Sequence, residues 1–282
     1  MRAVGIILAG GNNNRMKELT HKRAVAAMPI AGSYRSIDFA LSNMTNSHIQ
    51  KVAVLTQYNA RSLNEHLNSS KWWNFGRKQG GLYVFTPTIT NDNGYWYRGT
   101  ADAIYQNMDF LKKSHEPYVV IASGDAVYKM DYSKVLQYHI DKKADVTVVC
   151  KEMDPSDDVS RFGTIRMDDD MRITEFEEKP MVTKSNMIST GIYVIRRRLL
   201  IDLIEHAAEE ERFDFVNDVL IRYKNLKKIY GYKIDHYWSN IATVDAYYKT
   251  NMDFLKPEVR NYFFKQDPEI YSKVSDLPPA KY

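Results

Sequence analysis

The sequence predicts an α/β fold, a mixed but mainly parallel sheet with helices on both faces. Three observations predict it. Short apolar runs end in glycine or glycine–aspartate turns, as buried parallel strands do where they hand over to a loop. Between them apolar residues recur at spacings of three and four, the pattern of helices with one buried face. No Pro-, Ser- or Gly-rich linker and no internal repeat divides the 282 residues, so one α/β domain is expected.

The elements follow in order. Val4-Gly5-Ile6-Ile7-Leu8 is a buried strand leading into Ala9-Gly10-Gly11. Val52-Ala53-Val54-Leu55 is a second, and Tyr118-Val119-Val120-Ile121-Ala122, ending at Ser123-Gly124-Asp125, is a third. Ala101, Ile104, Met108 and Leu111 mark one face of a helix, and Val135, Leu136 and Ile140 share a buried side in another that follows Asp131. Val146 to Val149 is a fourth strand. After residue 150 short strands at Gly163 to Met167, Ile173 to Glu177 and Gly191 to Ile195 extend the sheet with antiparallel pieces or cap it. Helical patterns return at about 197–208 and 213–223, then a strand at 228–234 and a helix from about 243 to 254. The tail from 256 to 282 carries four prolines and the aromatics Tyr262, Phe263, Phe264 and Tyr271, and is expected to pack as an ordered arm on the domain of residues 1–255.

Composition removes several classes of function. With 44% hydrophobic and 26% charged residues the chain is an ordinary globular one. Its 39 Lys+Arg against 35 Asp+Glu leave a net charge of +4, too mild and too evenly mixed to argue for a nucleic-acid partner. Cys150 is the single cysteine, so no internal disulfide can form and a reducing, cytoplasmic setting is expected. No apolar run approaches the ~20 residues of a membrane span, and the apolar stretch near the N-terminus is too short for a signal peptide. The seven histidines include no HExxH pair, which argues against zinc.

In an open α/β sheet, ligands bind outside the carboxyl ends of the strands. That rule gathers Gly10, Gly11, Arg15, Gln57 and Asp125 around one crevice. Gly10 and Gly11 let backbone N–H groups approach an anion, and Arg15 is the cationic partner for phosphate oxygens. Asp125 points a carboxylate into the crevice, where a Mg²⁺-nucleotide could use it; the competing reading is a cap on the next turn. GxGxxG and GxxxxGK[ST] are both absent, which removes the dinucleotide-binding dehydrogenases and P-loop NTPases. Glu177-Glu178-Lys179-Pro180 reads most simply as a solvated strand end, Thr100 as a helix N-cap and Arg98 as a surface residue.

Taken together, the segments resemble one family. Leu8-Ala9-Gly10-Gly11 with Arg15 and Leu19-Thr20, Arg35-Ser-Ile-Asp-Phe-Ala-Leu-Ser-Asn43, Leu55-Thr-Gln-Tyr58 and Trp96-Tyr-Arg-Gly-Thr-Ala-Asp-Ala103 are similar to ADP-glucose pyrophosphorylase, also called glucose-1-phosphate adenylyltransferase. So are Ser123-Gly-Asp125 with Tyr128-Lys-Met-Asp131, Ser160-Arg-Phe-Gly163, Phe176-Glu-Glu-Lys-Pro180, Gly191-Ile-Tyr193 and Tyr237-Trp238 with Thr243. The resemblance runs from residue 4 to about 280. It implies a Rossmann-like, GT-A-like nucleotidyltransferase domain in which glucose 1-phosphate attacks the α-phosphorus of ATP and releases pyrophosphate. Arg15 and Asp125 would be catalytic, with Asp125 one of two aspartates on Mg²⁺. Leu8, Gly10, Gly11, Gln57, Gly99 and Thr100 would bind the nucleotide, and Tyr97, Gly163, Glu178, Lys179 and Ser189 the glucose phosphate or the glucose of ADP-glucose. Members of the family continue into a left-handed β-helix of hexapeptide repeats; none is present here, so the chain is expected to be the N-terminal part of such a protein.

The departures fall on residues the chemistry needs. Val25 and Ala26 stand where the family carries a lysine–proline pair, and Asn12-Asn13-Asn14 replaces a glycine-bearing phosphate loop. Asn240, in Tyr237-Trp-Ser-Asn-Ile-Ala-Thr243, offers an amide where the second metal ligand is an aspartate. Asp214-Phe-Val-Asn-Asp218 lacks a glycine–lysine, and Ser33 stands where another lysine is common. This pattern resembles the GlgD-type companion subunit, which assembles with a catalytic pyrophosphorylase subunit into a hetero-oligomer, here expected to be a tetramer, and modulates glycogen synthesis. An active adenylyltransferase with drifted loops, or another sugar-phosphate nucleotidyltransferase, are the alternatives.

Overall fold

The computed structural model describes residues 2–11, 14–76, 80–89, 94 and 96–274. Its strands are β1 (Ala3–Leu8), the short β2 (Pro29–Ile30) and β3 (Tyr34–Arg35), β4 (Lys51–Leu55), β5 (Gly81–Phe85), β6 (Tyr118–Ser123), β7 (Ala126–Tyr128), β8 (Val146–Glu152), β9 (Gly163–Met167), β10 (Ile173–Glu178), β11 (Met187–Arg196), β12 (Ile229–Ile234) and β13 (Trp238–Asn240). The helices are α1 (Ser36–Asn46), α2 (Arg61–Leu67), α3 (Thr100–Gln106), α4 (Met108–Lys112), α5 (Tyr132–Asp141), α6 (Arg197–Glu209), α7 (Val244–Asp253) and α8 (Pro257–Phe264).

Across the main sheet the order is β12-β8-β11-β6-β1-β4-β5. The expected fold class holds. β6, β1, β4 and β5 run parallel, and β11 is the reversed strand between β6 and β8. Side chains of β1 alternate between two cores: Val4 and Ile6 meet α3, α4 and α6, while Ala3 and Ile7 face the side of α1, α2 and α5. Burial on both faces is why the strand reads as an unbroken apolar run. Near its start β11 also pairs with β9, through Ile188 and Thr164, so the β9–β10 hairpin leaves the sheet at that point. The register of β11 slips between Ser189 and Tyr193, and Gly191 sits in the slip at φ +76°, a conformation that favours glycine.

The structure changes several element expectations. The helix marked by Ala101 to Leu111 is broken at Asn107, whose side-chain amide donates to the Ala103 carbonyl and the Tyr97 hydroxyl, both at 2.9 Å. The 213–223 pattern becomes a π-helical turn at Phe215–Ile221, capped by Asp214 accepting from Asn217 N. Ile140 is only half-buried, and His139 takes the buried place beside Val135 and Leu136. Helix α1 has no apolar stripe because its polar residues are buried too. Ser42 Oγ donates to the Asp38 carbonyl, while Asn43 donates to the Tyr128 carbonyl and accepts from Met130 N.

A third apolar cluster joins Met16, Val25, Phe39 and Val127 to Phe254 and Phe263. Phe263 on α8 is fully buried, edge-on to Phe39 and to Tyr237 at 5.4 Å each. The buried Lys129 donates to the carbonyls of Tyr262 and Gln266. Beyond α8 the chain crosses α1, where Tyr271 N donates to Ser42 Oγ and Ser272 Oγ to Asp38 Oδ2. The last eight residues of the expected arm lie outside the described residues. Among the described residues no helix is long and apolar enough to cross a membrane.

Candidate active site

Parallel register builds the crevice. Leu8 is level with Leu55 on one side and Ser123 on the other, and the ladder runs one step further through Ala9 N to the Leu55 carbonyl and Gly124 N to the Leu8 carbonyl. Gly10, Gln57 and Asp125 therefore leave the sheet together, on the wall of a cavity of about 810 Å³. Leu8, Gly11, Asn14 and Arg15 line the same wall; Asn12 and Asn13 lie outside the described residues. A Cβ on Gly11 would meet nothing within 4 Å, so this turn faces open space.

Asp125 accepts from Ser123 Oγ at 2.5 Å. The strand that follows it, β7, pairs antiparallel with β13, which sets Asn240 opposite Ala126 and lets Ile241 N donate to the Asp125 carbonyl at 2.9 Å. The two positions the sequence singles out on either side of the metal question are thus neighbours on the cavity floor. The Asn240 amide oxygen accepts from Ala242 N at 3.1 Å. Val25 and Ala26, in a single 3-10 turn, add an apolar wall beside them; Ala26 is 2% exposed and packs on Gly124.

From the β4 edge of this wall the Gln57 amide clamps the Tyr97 backbone, accepting from its N–H at 3.0 Å and donating to its carbonyl at 3.2 Å. Tyr97 itself is buried in the wall, and burial raises its phenol above the ordinary pKa. One sequence expectation fails here. Thr100 is the first helical residue and not the N-cap, which is Gly99; the Thr100 hydroxyl instead accepts from Phe215 N at 2.9 Å. Gly99 lies so close to the 213–215 segment that a Cβ would stand 2.3 Å from the Phe213 carbonyl oxygen. Arg98 is at the surface, as expected, and from there it also reaches the buried Asp102 at 2.8 Å and lies 3.8 Å over the Phe213 ring. A buried carboxylate needs such a partner.

Of the expected sugar residues only Tyr97 and Lys179 line the cavity. Lys179 lines the cavity and holds Glu178 at 2.7 Å. Gly163, Glu178 and Ser189 stand one layer behind. Ser189 Oγ is 3.2 Å from the hydroxyl of Tyr193, which lines the cavity. A Cβ on Gly163 would fall 2.8 Å from Glu178 Oε2 and 2.7 Å from the Phe176 ring, so only glycine leaves the carboxylate its place.

Several lining residues are not among those the sequence singles out for the site, Tyr193, Phe215 and Arg161 among them. Arg161 lies 4.6 Å from the Phe162 ring centroid, and its Nη1 is 3.5 Å from Thr243 Oγ1. Burial holds its pKa below the ordinary guanidinium value and the charge of Arg15 acts in the same direction, against Asp158, Asp125 and Asp157. Its signal in the sequence is the family segment Ser160-Arg-Phe-Gly163, in which only Gly163 is given a site role.

For the Mg²⁺ that the resemblance implies, the residues supply one carboxylate where two are expected, the remaining ligands being substrate phosphates and water. Among the described residues no three His, Cys, Asp or Glu side chains converge on one point. The floor offers one carboxylate, on Asp125, and an amide oxygen already engaged by backbone. Divalent cations of this kind prefer carboxylate oxygens.

The sequence profile of the nucleotidyl transferase family matches residues 4–257. Three relatives carry the name glucose-1-phosphate adenylyltransferase. That of Thermosipho melanesiensis is 39% identical over 279 residues, covering 98% of this chain and 68% of the relative. That of Clostridium novyi is 40% identical over 279 residues, covering 98% and 73%. That of Bacillus cereus is 41% identical over 281 residues, covering 99% and 74%. With this match over nearly all of its length, on a sheet whose parallel strands end at one crevice, the chain belongs to the nucleotidyl transferase family.

Proposed function

We propose that this chain is a glucose-1-phosphate adenylyltransferase-type protein of glycogen biosynthesis that has lost most of its catalytic power and serves as a regulatory companion to a catalytic subunit, in a cytoplasmic hetero-oligomer. The observation that carries the reading is the amide of Asn240 set beside Asp125, with Val25 closing the wall where a cation belongs. ATP, glucose 1-phosphate or ADP-glucose is the ligand class. Backbone at Gly10 and Gly11 with Arg15 takes the phosphates, the face of Gln57, Gly99 and Thr100 takes the base, and Tyr97, Lys179 and Glu178, backed by Gly163 and Ser189, take the sugar. Positioning survives on this account, while neutralisation of the charge that builds on the phosphates during transfer is impaired. On the same reading residues 1–255 are the nucleotidyltransferase-like domain, and 256–282 lead towards a further domain.

One observation favours the alternative of an active enzyme: each of the three relatives compared is named for the activity. An assay of the purified protein for pyrophosphate release from ATP and glucose 1-phosphate, alone and with a catalytic homologue, decides between them. The companion reading expects slow turnover alone and altered turnover or effector response of the homologue when the two are mixed. It also expects calorimetric binding of ADP-glucose that is abolished by Glu178→Ala with Lys179→Ala.

A further inference from the structure

We infer that the end of the sheet opposite the candidate active site carries a second ligand site, which binds the phosphate monoester of a small metabolite. Strand register builds this site too. Arg196 at the end of β11 is level with Tyr118 at the start of β6, and Ile195 pairs with Val146, which pairs in turn with Ile229. Asp145, Arg196 and Lys227 therefore leave the sheet together beside Tyr118, around a cavity of about 550 Å³. The length of β6, roughly 17 Å at about 3.3 Å per residue, separates Tyr118 from Ser123 at the first cavity. The two sites share no lining residue.

Charge marks the second cavity as an anion site. Its lining carries Arg196, Arg197, Arg198 and Lys227 against Asp145 and Asp202. Asp145 is fully engaged, by the Arg196 guanidinium on one oxygen and by Lys228 N at 2.9 Å on the other. Next to the lining, Glu116 accepts from His115 N at 3.0 Å, and Glu205, one turn beyond Asp202, is held by Lys112 at 2.5 Å. Adding Glu116, and Glu205 with its lysine, still leaves the balance positive. Arg197 donates from Nε to the Glu116 carbonyl at 2.8 Å and from Nη1 to the Leu111 carbonyl at 3.0 Å, which fixes the guanidinium without neutralising it. Arg198 and Lys227 have no ion-pair partner among the described residues. Helix α6 opens on these arginines with no side-chain cap and no acid in its first turn. Cations there oppose the helix dipole, and an anion between them relieves both. Guanidiniums suit phosphate oxygens because they donate two parallel hydrogen bonds. Pro117, Tyr118 and Leu199 give the same cavity an apolar side for a carbon skeleton, as small-molecule sites have.

The test is a calorimetric titration of the full chain with glucose 6-phosphate, with glucose and inorganic phosphate titrated alongside. The expected result is saturable binding of the ester, weaker binding of phosphate and none of glucose. Arg198→Gln with Lys227→Gln should weaken the ester about 10–100-fold, the worth of charged hydrogen-bonding partners. Neither side chain has a partner to lose, so the variant should melt within about 1–2 °C of the parent. If it does not fold, Arg198→Gln alone, with an expected loss of about tenfold, decides. Saturating ADP-glucose should leave the ester's affinity unchanged. No saturable heat at millimolar ester, an unchanged affinity in the folded variant, or displacement by ADP-glucose overturns the inference. An affinity for inorganic phosphate equal to that for the ester overturns the assignment to a metabolite ester. Each of these results leaves the proposed function standing, because that reading uses the other cavity.

Discussion

Replacing Asn240 by aspartate restores a carboxylate in an isosteric side chain, and the structure sets the size of the effect. Because Asn240 pairs with Ala126, the residue after Asp125, the introduced carboxylate would share the cavity floor with Asp125. Opposed antiparallel Cα atoms lie about 4.5–5.5 Å apart. Two carboxylates at a separation of ~6 Å and an effective dielectric of about 20 repel by about 3 kcal/mol, and partial exposure brings this to about 1–3 kcal/mol. Without Mg²⁺, Asn240→Asp should therefore melt several degrees below the parent, at roughly 2–4 °C per kcal/mol for a chain approaching this size. Mg²⁺ at ten times its dissociation constant returns about 1.4 kcal/mol, a rise of ~3–5 °C that the parent should lack.

Adding Val25→Lys and Ala26→Pro should then raise pyrophosphate release by about 10²–10⁴ over the parent. The backbone hydrogen bonds of that turn are donated by Ala27 and Met28, so a proline at position 26 removes neither. Differential scanning calorimetry with and without Mg²⁺, followed by the synthesis assay, checks both parts. A parent that already gains the same Mg²⁺-dependent rise, and turns over at about 1–10³ s⁻¹ as enzymes ordinarily do, would refute the reasoning.

Two further outcomes follow from packing and titration. His139 is 1% exposed, with its ring nitrogen 2.9 Å from Thr147 Oγ1, and burial lowers its pKa to about 4, with Arg196 acting in the same direction and Asp145 against. The unfolded chain, with a histidine pKa of about 6.5, holds the extra proton between those values, so this group's contribution is complete above about 6.5 and falls as the pH drops towards 4, by up to about 3 kcal/mol. Urea midpoints across that window should show the loss and His139→Gln should flatten it; parallel curves for the two proteins would contradict it. Gly99→Ala drives a Cβ to 2.3 Å from the Phe213 carbonyl oxygen, which Ala101 N also holds, and should cost about 1–3 kcal/mol while Gly11→Ala, which meets open space, leaves stability within about 0.5 kcal/mol. Equal melting temperatures for the two variants would sink this account of Gly99.

The sequence by itself determined the layered α/β frame, because burial on both faces of a parallel strand demands the apolar runs seen at Val4–Leu8, Val52–Leu55 and Tyr118–Ala122. It also determined which positions merit suspicion, since Val25 and Asn240 are departures in residue type that need no coordinates to see. It could not announce α1, where buried Ser42 and Asn43 take the place of an apolar stripe and are satisfied by hydrogen bonds that periodicity does not register. Nor could it orient Arg98, whose partner Asp102 looks like any helix aspartate until burial makes the ion pair obligatory. The family resemblance already set Asn240 with Asp125, but only the tertiary structure showed how the two are joined and that Arg161 leans over the same turn. Those neighbours are joined by the pairing of β13 with β7 and by a contact to Thr243, between segments far apart in the chain. Local pattern reports which face of an element is buried. Which charge then meets which carboxylate depends on strand order and register, and these are properties of the packed sheet.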